Sequence, residues 1–420
     1  MEKLPKHTDE DLHVTRLMSD SNKFETELLD EICRLRQTID NLQRENTDLE
    51  LLLENTTQHA DFIEMELEKR NTLIRNLFGR YLDNEIVDNL LETPKGLELG
   101  GKRQKITMLV SDLRGFTAFS EQLPAEEVVK VINFYLSHMV DVIATYHGAI
   151  DEFMGDGILV FFGAPIARED DAARAVACAI SMQAAMTTIN AQMTAWGLPP
   201  LSMGIGINTG EVVAGNIGSE KRAKYGVVGN QVNLTFRIES YTTGNQILIS
   251  EETWQALQPI IQIHQSRQIR MKGLSDPITV YDVAGIGGKY NLWLQEHHQD
   301  DELLPLQEPI SVRCELLNGK EITNIWLTGE LVQLSGKGAL LQFGPSPGDF
   351  IPEVLSNLKV SYLRNEPETS KTAENYAKVM NVNAEARTCH IHFTSMFFSS
   401  TLNLKELYDS LKQARANAAD

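Results

Sequence analysis

The runs Leu109-Val-Ser-Asp-Leu-Arg-Gly-Phe-Thr117 and Asp151-Glu-Phe-Met-Gly-Asp-Gly-Ile158 decide the reading of this chain. Ile106–Val110 predicts a short apolar strand that runs on to Asp112. Ala149–Met154 and Ile158–Phe162 predict two strands joined by the tight Gly155-Asp156-Gly157 turn, a hairpin. The glycines beside Asp156 let the backbone turn sharply and approach a ligand. Two carboxylates on neighbouring strand ends can hold one or two Mg²⁺ ions, which take few protein oxygens and share a substrate's phosphates. Asp-Gly turns are common, so a plain hairpin turn is the competing reading of Asp156 taken alone.

Outward from these runs, residues 104–285 alternate strand and helix patterns. Pro124–Tyr146 predicts a helix, with proline at an early position and His147-Gly148 closing it. Asp170–Trp196 reads as an alanine-rich helix. Leu201–Thr209 and Glu211–Asn216 read as a second hairpin around Thr209-Gly210. Gln231–Ser240 reads as a helix on which Asn233 and Arg237, four residues apart, share a face. Strands are expected at Gln246–Ile249, Ile261–Met271 and Pro277–Val283. Helices covering one face of a mostly antiparallel sheet make an α+β domain.

Residues 25–77 follow a different rule. Steps of four and three link Leu28, Ile32, Leu35, Ile39, Leu42, Asn46, Leu49 and Leu53, and continue through Thr56, Ala60, Ile63, Leu67, Arg70, Ile74 and Leu77. Such a heptad, with Ile at the first a positions and Leu at d, favours a parallel two-stranded coiled coil. Asn46 at an a position fixes register and dimer state. A single amphipathic helix packed on its own protein is the alternative. Residues 1–24 carry no periodic pattern and read as a flexible tail. Residues 78–103 read as a helical transducer ending near Pro94 and Gly96.

Residues 286–310 read as a linker. Residues 311–416 alternate in β fashion and close with a helix at Leu402–Ala416, which fits a small β-barrel. The whole chain has 420 residues, of which 58 are acidic and 38 basic, for a formal charge of −20. A nucleic-acid binder would show a basic surface, so that role is disfavoured. The four cysteines, Cys33, Cys178, Cys314 and Cys389, form no CxxC pair, which speaks against a zinc site or disulfide framework and fits the cytoplasm. There is no apolar core of a signal peptide, and no membrane span is expected from a search for about 18 apolar residues in a row.

The segments 109–117, 151–165, Ser202–Tyr225 and Gly226–Ser240 together resemble the catalytic domain of class III adenylyl and guanylyl cyclases, in the family's order. The resemblance implies a ferredoxin-like, palm-type fold. It implies that Asp112 and Asp156 are metal ligands, for two Mg²⁺ or Mn²⁺ ions per site. Asn233 and Arg237 match the pair that orients the ribose and stabilises the transition state, and Lys272 matches the lysine of the terminal phosphates. Phe116 and Thr117 fall with the substrate. In the family one subunit supplies the metal carboxylates and the other the remaining residues, so a homodimer is expected, with two equivalent sites.

Base choice in the family rests on two positions, filled here by Glu152 and Gly226. Adenylyl cyclases resemble one another in placing Lys at the first, guanylyl cyclases in placing Glu. A carboxylate only accepts hydrogen bonds. Guanine presents N1–H and an amino group side by side, whereas adenine presents an acceptor at N1. Such a mismatch is worth roughly 10⁴-fold in favourable cases. The expected activity is therefore conversion of GTP to 3′,5′-cyclic GMP and pyrophosphate. An adenylate cyclase and a catalytically inactive dimeric scaffold are the alternatives. Gly226 departs from both family patterns, since it offers no side chain to the base.

Gln333-Leu-Ser-Gly-Lys-Gly338 is similar to the Asp/Asn-x-Ser-x-x-Gly turn of PilZ domains. Gln333 replaces the acidic residue or Asn, and Arg313 stands without the second arginine that in that family grips a cyclic dinucleotide. A docking or regulatory barrel, with a regulatory protein as partner, is expected in place of a cyclic di-GMP receptor.

Overall fold

The computed structural model describes residues 9–78, 86–87, 98–271, 276–294, 302–318, 321–344, 350–363, 374–395 and 404–419. The chain divides into two compact units, one ending at Tyr81 and the other beginning at Leu82.

The first unit is one helix, α1 (Asp9–Phe78). It begins inside the stretch 1–24 that was expected to be a flexible tail. Residues 9–24 contain no glycine or proline, the residues that break a helix most readily. A helix can extend past the point where its seam stops. The seam residues Leu28, Ile32, Leu35, Ile39, Leu42, Leu49 and Leu53 are exposed along it. The Asn46 amide donates to Glu50 Oε1 at 2.9 Å. Of the expected transducer, Ile86 and Val87 are helical and buried; the rest of 79–97 lies outside the described residues.

The second unit begins with a nine-stranded sheet. Its centre is β1 (Gly100–Leu113), followed by the short α2 (Phe116–Ser120) and by α3 (Ala125–Thr145). The expected hairpin is β2 (Ala149–Met154) and β3 (Gly157–Phe162), and α4 (Asp171–Ala195) follows. Next come β4 (Met203–Ser219), β5 (Arg222–Val228), α5 (Asn230–Ser240), β6 (Ile247–Ser250) and α6 (Glu251–Leu257). The domain ends with β7 (Ile261–Ile269), β8 (Ile278–Ile286) and β9 (Leu292–Trp293). The strand order is β2-β3-β1-β4-β6-β8-β7, with β5 on β4 and β9 on β8. All pairings are antiparallel except β4 with β6.

On α3, Val131, Tyr135, Met139 and Ile143 recur every four residues and are fully buried, the stripe of a helix lying on a sheet. Burying an aliphatic side chain of this kind contributes about 1.5–3 kcal/mol. The stripe meets α4 and the Leu109, Leu113, Val160 and Ile207 face of the sheet. Both α3 and α4 are long and apolar enough to cross a membrane by length and composition alone. Here their apolar residues form this core.

Two further expectations are corrected. Helices lie on both faces of the sheet, because α5 packs on the opposite side, where Val232 joins Met108, Val212 and Ala214. The uninterrupted apolar run of β1 is the mark of a strand buried on both faces. The second hairpin does not form at Thr209-Gly210: β4 runs straight through both residues, with Gly210 paired to Ile106 of β1. Its turn comes at Glu220-Lys221, before β5. Gly210 serves a close approach, since a Cβ there would lie 2.7 Å from Gln231 Cγ.

The C-terminal part is a closed six-stranded barrel. Its strands are β10 (Leu304–Asn318), β11 (Glu321–Leu334), β12 (Gly338–Phe343), β13 (Asn357–Tyr362), β14 (Glu374–Asn383) and β15 (Thr388–Ser395). β10 starts within the stretch 286–310 expected as a linker. The last helix, α7 (Leu404–Ala419), sets Leu404 and Tyr408 into the barrel core.

Cys178, Cys314 and Cys389 are buried and Cys33 is exposed. Burial pushes the Cys389 thiol up to about 11 and the Cys314 thiol up to about 12, so neither is a thiolate near neutrality. A thiol reagent applied to the native protein should titrate Cys33 quickly and the other three only after denaturation.

Candidate active site

The carboxylate pair forms where β1 ends. The Leu113 N–H donates to Asp156 Oδ2 at 3.1 Å, and Asp156 is buried. A Cβ on Gly157 would lie 3.5 Å from Asp112 Oδ1, so the Asp112 carboxylate leans over the hairpin turn beside Asp156. Gly115, at φ +70°, then redirects the chain into α2, a conformation that L side chains rarely adopt. There Phe116 is buried against Phe119, with ring centroids 5.5 Å apart, while Thr117 is exposed.

Arg114 fixes this corner. Its guanidinium lies 3.9 Å from Asp112 Oδ2, donates to Thr242 Oγ1 at 3.1 Å, and pairs with the buried Glu239 of α5. Its backbone N–H donates to Ser202 O at 2.8 Å. Burial lowers the Arg114 pKa, against the opposing pull of Asp112 and Asp156. Gly204 opens the slot for it, since a Cβ there would lie 2.7 Å from Arg114 Nε.

The second group of residues sits where β2 faces β5. Pairing of β2 with β3 slips by one residue between Ile150 and Glu152, which makes Asp151 an extra, bulged residue. Glu152 is exposed, yet Lys224 Nζ holds its Oε2 at 3.2 Å and Asp151 Oδ2 at 3.0 Å. Burial alone would lower the Lys224 pKa, but its hydrogen bonds and charge pairing with Asp151 and Glu152 raise it instead. Gly226 adjoins the same cluster: a Cβ on it would lie 2.8 Å from Asp151 Oδ1 and 3.1 Å from Lys224 Cε. Any side chain at 226 would have to displace that pair.

The third group is carried by α5. Asn233 is exposed and Arg237 half-buried on it, and Ser240 Oγ donates to Arg237 O at 2.7 Å. Gly206 lets this helix lie against β4, since a Cβ there would come 2.6 Å from Glu239 Cα. Lys272 lies outside the described residues. Two residues of the site went unassigned in the sequence reading, Arg114 and Lys224. Lys224 stands two residues from Gly226 on one strand and so shares its face, a signal the sequence does carry.

The three groups hang on one sheet: two carboxylates where β1 ends beside the β2–β3 turn, a charged cluster around a glycine at one edge, and an Asn–Arg helix face. The family model described as the adenylate and guanylate cyclase catalytic domain matches residues 101–285, and through this domain the chain belongs to that family. It is 61% identical to the solved guanylyl cyclase Cya2, covering 47% of this chain and 100% of that one with a TM-score of 0.46. It is 38% identical to the solved adenylyl cyclase CyaB from P. aeruginosa, covering 46% of this chain and 100% of that one with a TM-score of 0.44. Adenylate cyclase 1 of Rhizobium meliloti is 29% identical over 214 residues, 50% of this chain but only 32% of that protein. The chain thus spans about a third of the length of this curated relative.

Because Gly206 faces backbone that cannot yield, Gly206→Ala should push α5 off β4. The expected cost is about 1–3 kcal/mol of overpacking, read by urea unfolding, with turnover falling alongside.

Proposed function

We propose that the chain is a guanylate cyclase that converts GTP to 3′,5′-cyclic GMP and pyrophosphate as a homodimer. The observation that carries this reading is the cluster around Gly226. Lys224 holds Glu152 and Asp151 by ion pairs, and Gly226 brings no side chain into this tightly packed cluster. The Glu152 carboxylate accepts from guanine N1–H and the amino group, the two donors that adenine does not offer side by side.

The chemistry is positioning and charge neutralisation. The ribose 3′-hydroxyl attacks the α-phosphate in line and pyrophosphate leaves. Asn233 orients the ribose. Arg237 neutralises charge on the α-phosphate oxygens, a task for which its planar fork is suited. Lys272 holds the terminal phosphates, and Phe116 and Thr117 flank the nucleotide where α2 begins. Among the described residues no group of three His, Cys, Asp or Glu could hold a metal. The fit is that of a carboxylate pair which completes its shell with substrate oxygens. Asp112 and Asp156 present hard oxygens, and Asp156 is oriented by the Leu113 N–H. Bound there, Mg²⁺ or Mn²⁺ would neutralise phosphate charge and favour the ionised 3′-oxygen.

The exposed heptad seam of α1, with Asn46 at an a position, supports a parallel coiled coil that brings two copies together. The carboxylates of one copy and the α5 of the other then complete each site. The barrel is read as a PilZ-like regulatory module without a dinucleotide, in a cytoplasmic protein. Its Gln333–Gly338 turn is closed by a 2.8 Å bond from the Ser335 N–H to Gly338 O. The alternative of cyclic AMP from ATP is favoured by the name of the Rhizobium relative.

Product chromatography decides among these readings. Purified chain incubated with GTP or ATP, each with Mg²⁺ or Mn²⁺, should give cyclic GMP from GTP, and Asp156→Ala should give none. Cyclic AMP as the main product would overturn the reading of Glu152, and no product from either nucleotide would favour the scaffold. Glu152→Lys should lower kcat/KM for GTP by about 10²–10⁴-fold. Removing residues 1–77 should weaken dimerisation in analytical ultracentrifugation and lower turnover at low protein concentration.

A further inference from the structure

The barrel sends one lysine into the cyclase domain. On β14, Ala377 and Val379 point into the barrel core, so Lys378 between them points outward. An outward lysine on a free barrel is solvated, yet Lys378 is 1% exposed. What covers it is the C-terminal turn of α5. Lys378 Nζ donates to Ser240 O at 2.6 Å and to Thr242 O at 2.9 Å. The last carbonyls of a helix have no partner inside the helix and sit at its negative end. A buried lysine is tolerated only where its N–H groups find acceptors, and these carbonyls provide them. Burial and the neighbouring Arg114 cation push the Lys378 pKa well down, and even the neutral amine keeps two N–H donors for two carbonyls.

The contact reaches both halves of the catalytic apparatus. Ser240 lies one turn beyond Arg237 on α5. Thr242, whose carbonyl accepts from Lys378, uses its hydroxyl to accept from Arg114, the residue beside Asp112. Leu355 packs nearby against the buried cluster that includes Ile238 and Leu248, so the junction has an apolar part as well. Between the Asp112–Glu121 segment and the barrel residues Lys359, Tyr376 and Lys378 lies a cleft of about 400 Å³.

We infer that Lys378, supplied by the barrel, is a positioning residue of the cyclase reaction. It fixes the C-terminal turn of α5, and through that turn the attitude of Asn233 and Arg237 and the seat of Arg114. The barrel is therefore part of the catalytic apparatus. This inference rests on the reading of α5 given under Proposed function.

The test uses the full chain with GTP and Mn²⁺, and compares Lys378→Met, Lys378→Gln, Val360→Ala and Arg237→Ala. Val360 is buried in the barrel core away from α5, so its truncation loosens the barrel without removing the contact. Misplacement of a positioned group by about 1 Å costs up to roughly 10²-fold. Lys378→Met should therefore lower kcat by about ten- to a hundredfold. KM should change little, and Val360→Ala should keep its kcat at an equal loss of melting temperature. Should Lys378→Met fail to fold, Lys378→Gln, with a shorter reach and one amide donor group, carries the same expectation. An unchanged or increased kcat in a folded Lys378 variant, with Arg237→Ala inactive, would overturn the inference. Full turnover by Arg237→Ala would overturn the reading of α5 itself, and the inference with it.

Discussion

The buried ion pair of Arg114 with Glu239 is the constraint around which the cyclase domain is arranged. Arg114 follows the carboxylate strand and Glu239 belongs to α5, so the pair ties together residues far apart in the sequence. Leaving either charge buried alone would cost about 3–5 kcal/mol. The two glycines of β4 that face it, Gly204 and Gly206, are the room this pair and its helix need. With the pair in place, Asp112 and Asp156 are set at one fixed distance from Asn233 and Arg237 within a chain.

What the sequence made legible was local. The hairpin around Gly155-Asp156-Gly157, the stripe of α3 and the four-residue spacing of Asn233 and Arg237 depend on neighbours in the chain, and the structure has the elements where they were expected. What it hid was long-range. Gly210 looked like a turn because glycine serves turns and close approaches alike, and only the packing of Gln231 shows which one applies. The placement of α5 on the second face of the sheet was missed for a related reason: an uninterrupted apolar strand does not say what covers it. Lys224 and Lys378 went unassigned, and their partners lie more than 70 and 130 residues away.

The two helices that frame the domain end in the same way. At the end of α3, the buried Arg174 donates to the carbonyls of Tyr146 and His147, at 2.8 and 2.9 Å. At the end of α5, Lys378 does so for Ser240 and Thr242. In each case the N–H groups of a buried basic side chain satisfy carbonyls that the helix itself leaves unpaired. The difference lies in where the donor comes from. Arg174 belongs to the next helix of the same domain and is held by Asp170 and Asp171 as well. Lys378 belongs to a barrel with a core of its own.

Closure of that barrel changes what detachment would mean. Every strand has a neighbour on both sides, so leaving the cyclase domain breaks none of the ladder. Docking is thus a binding equilibrium between two parts of one chain. The short connection from Trp293 to Leu304 keeps the two at an effective concentration of roughly millimolar. At that concentration a weak interface is enough to keep the site assembled.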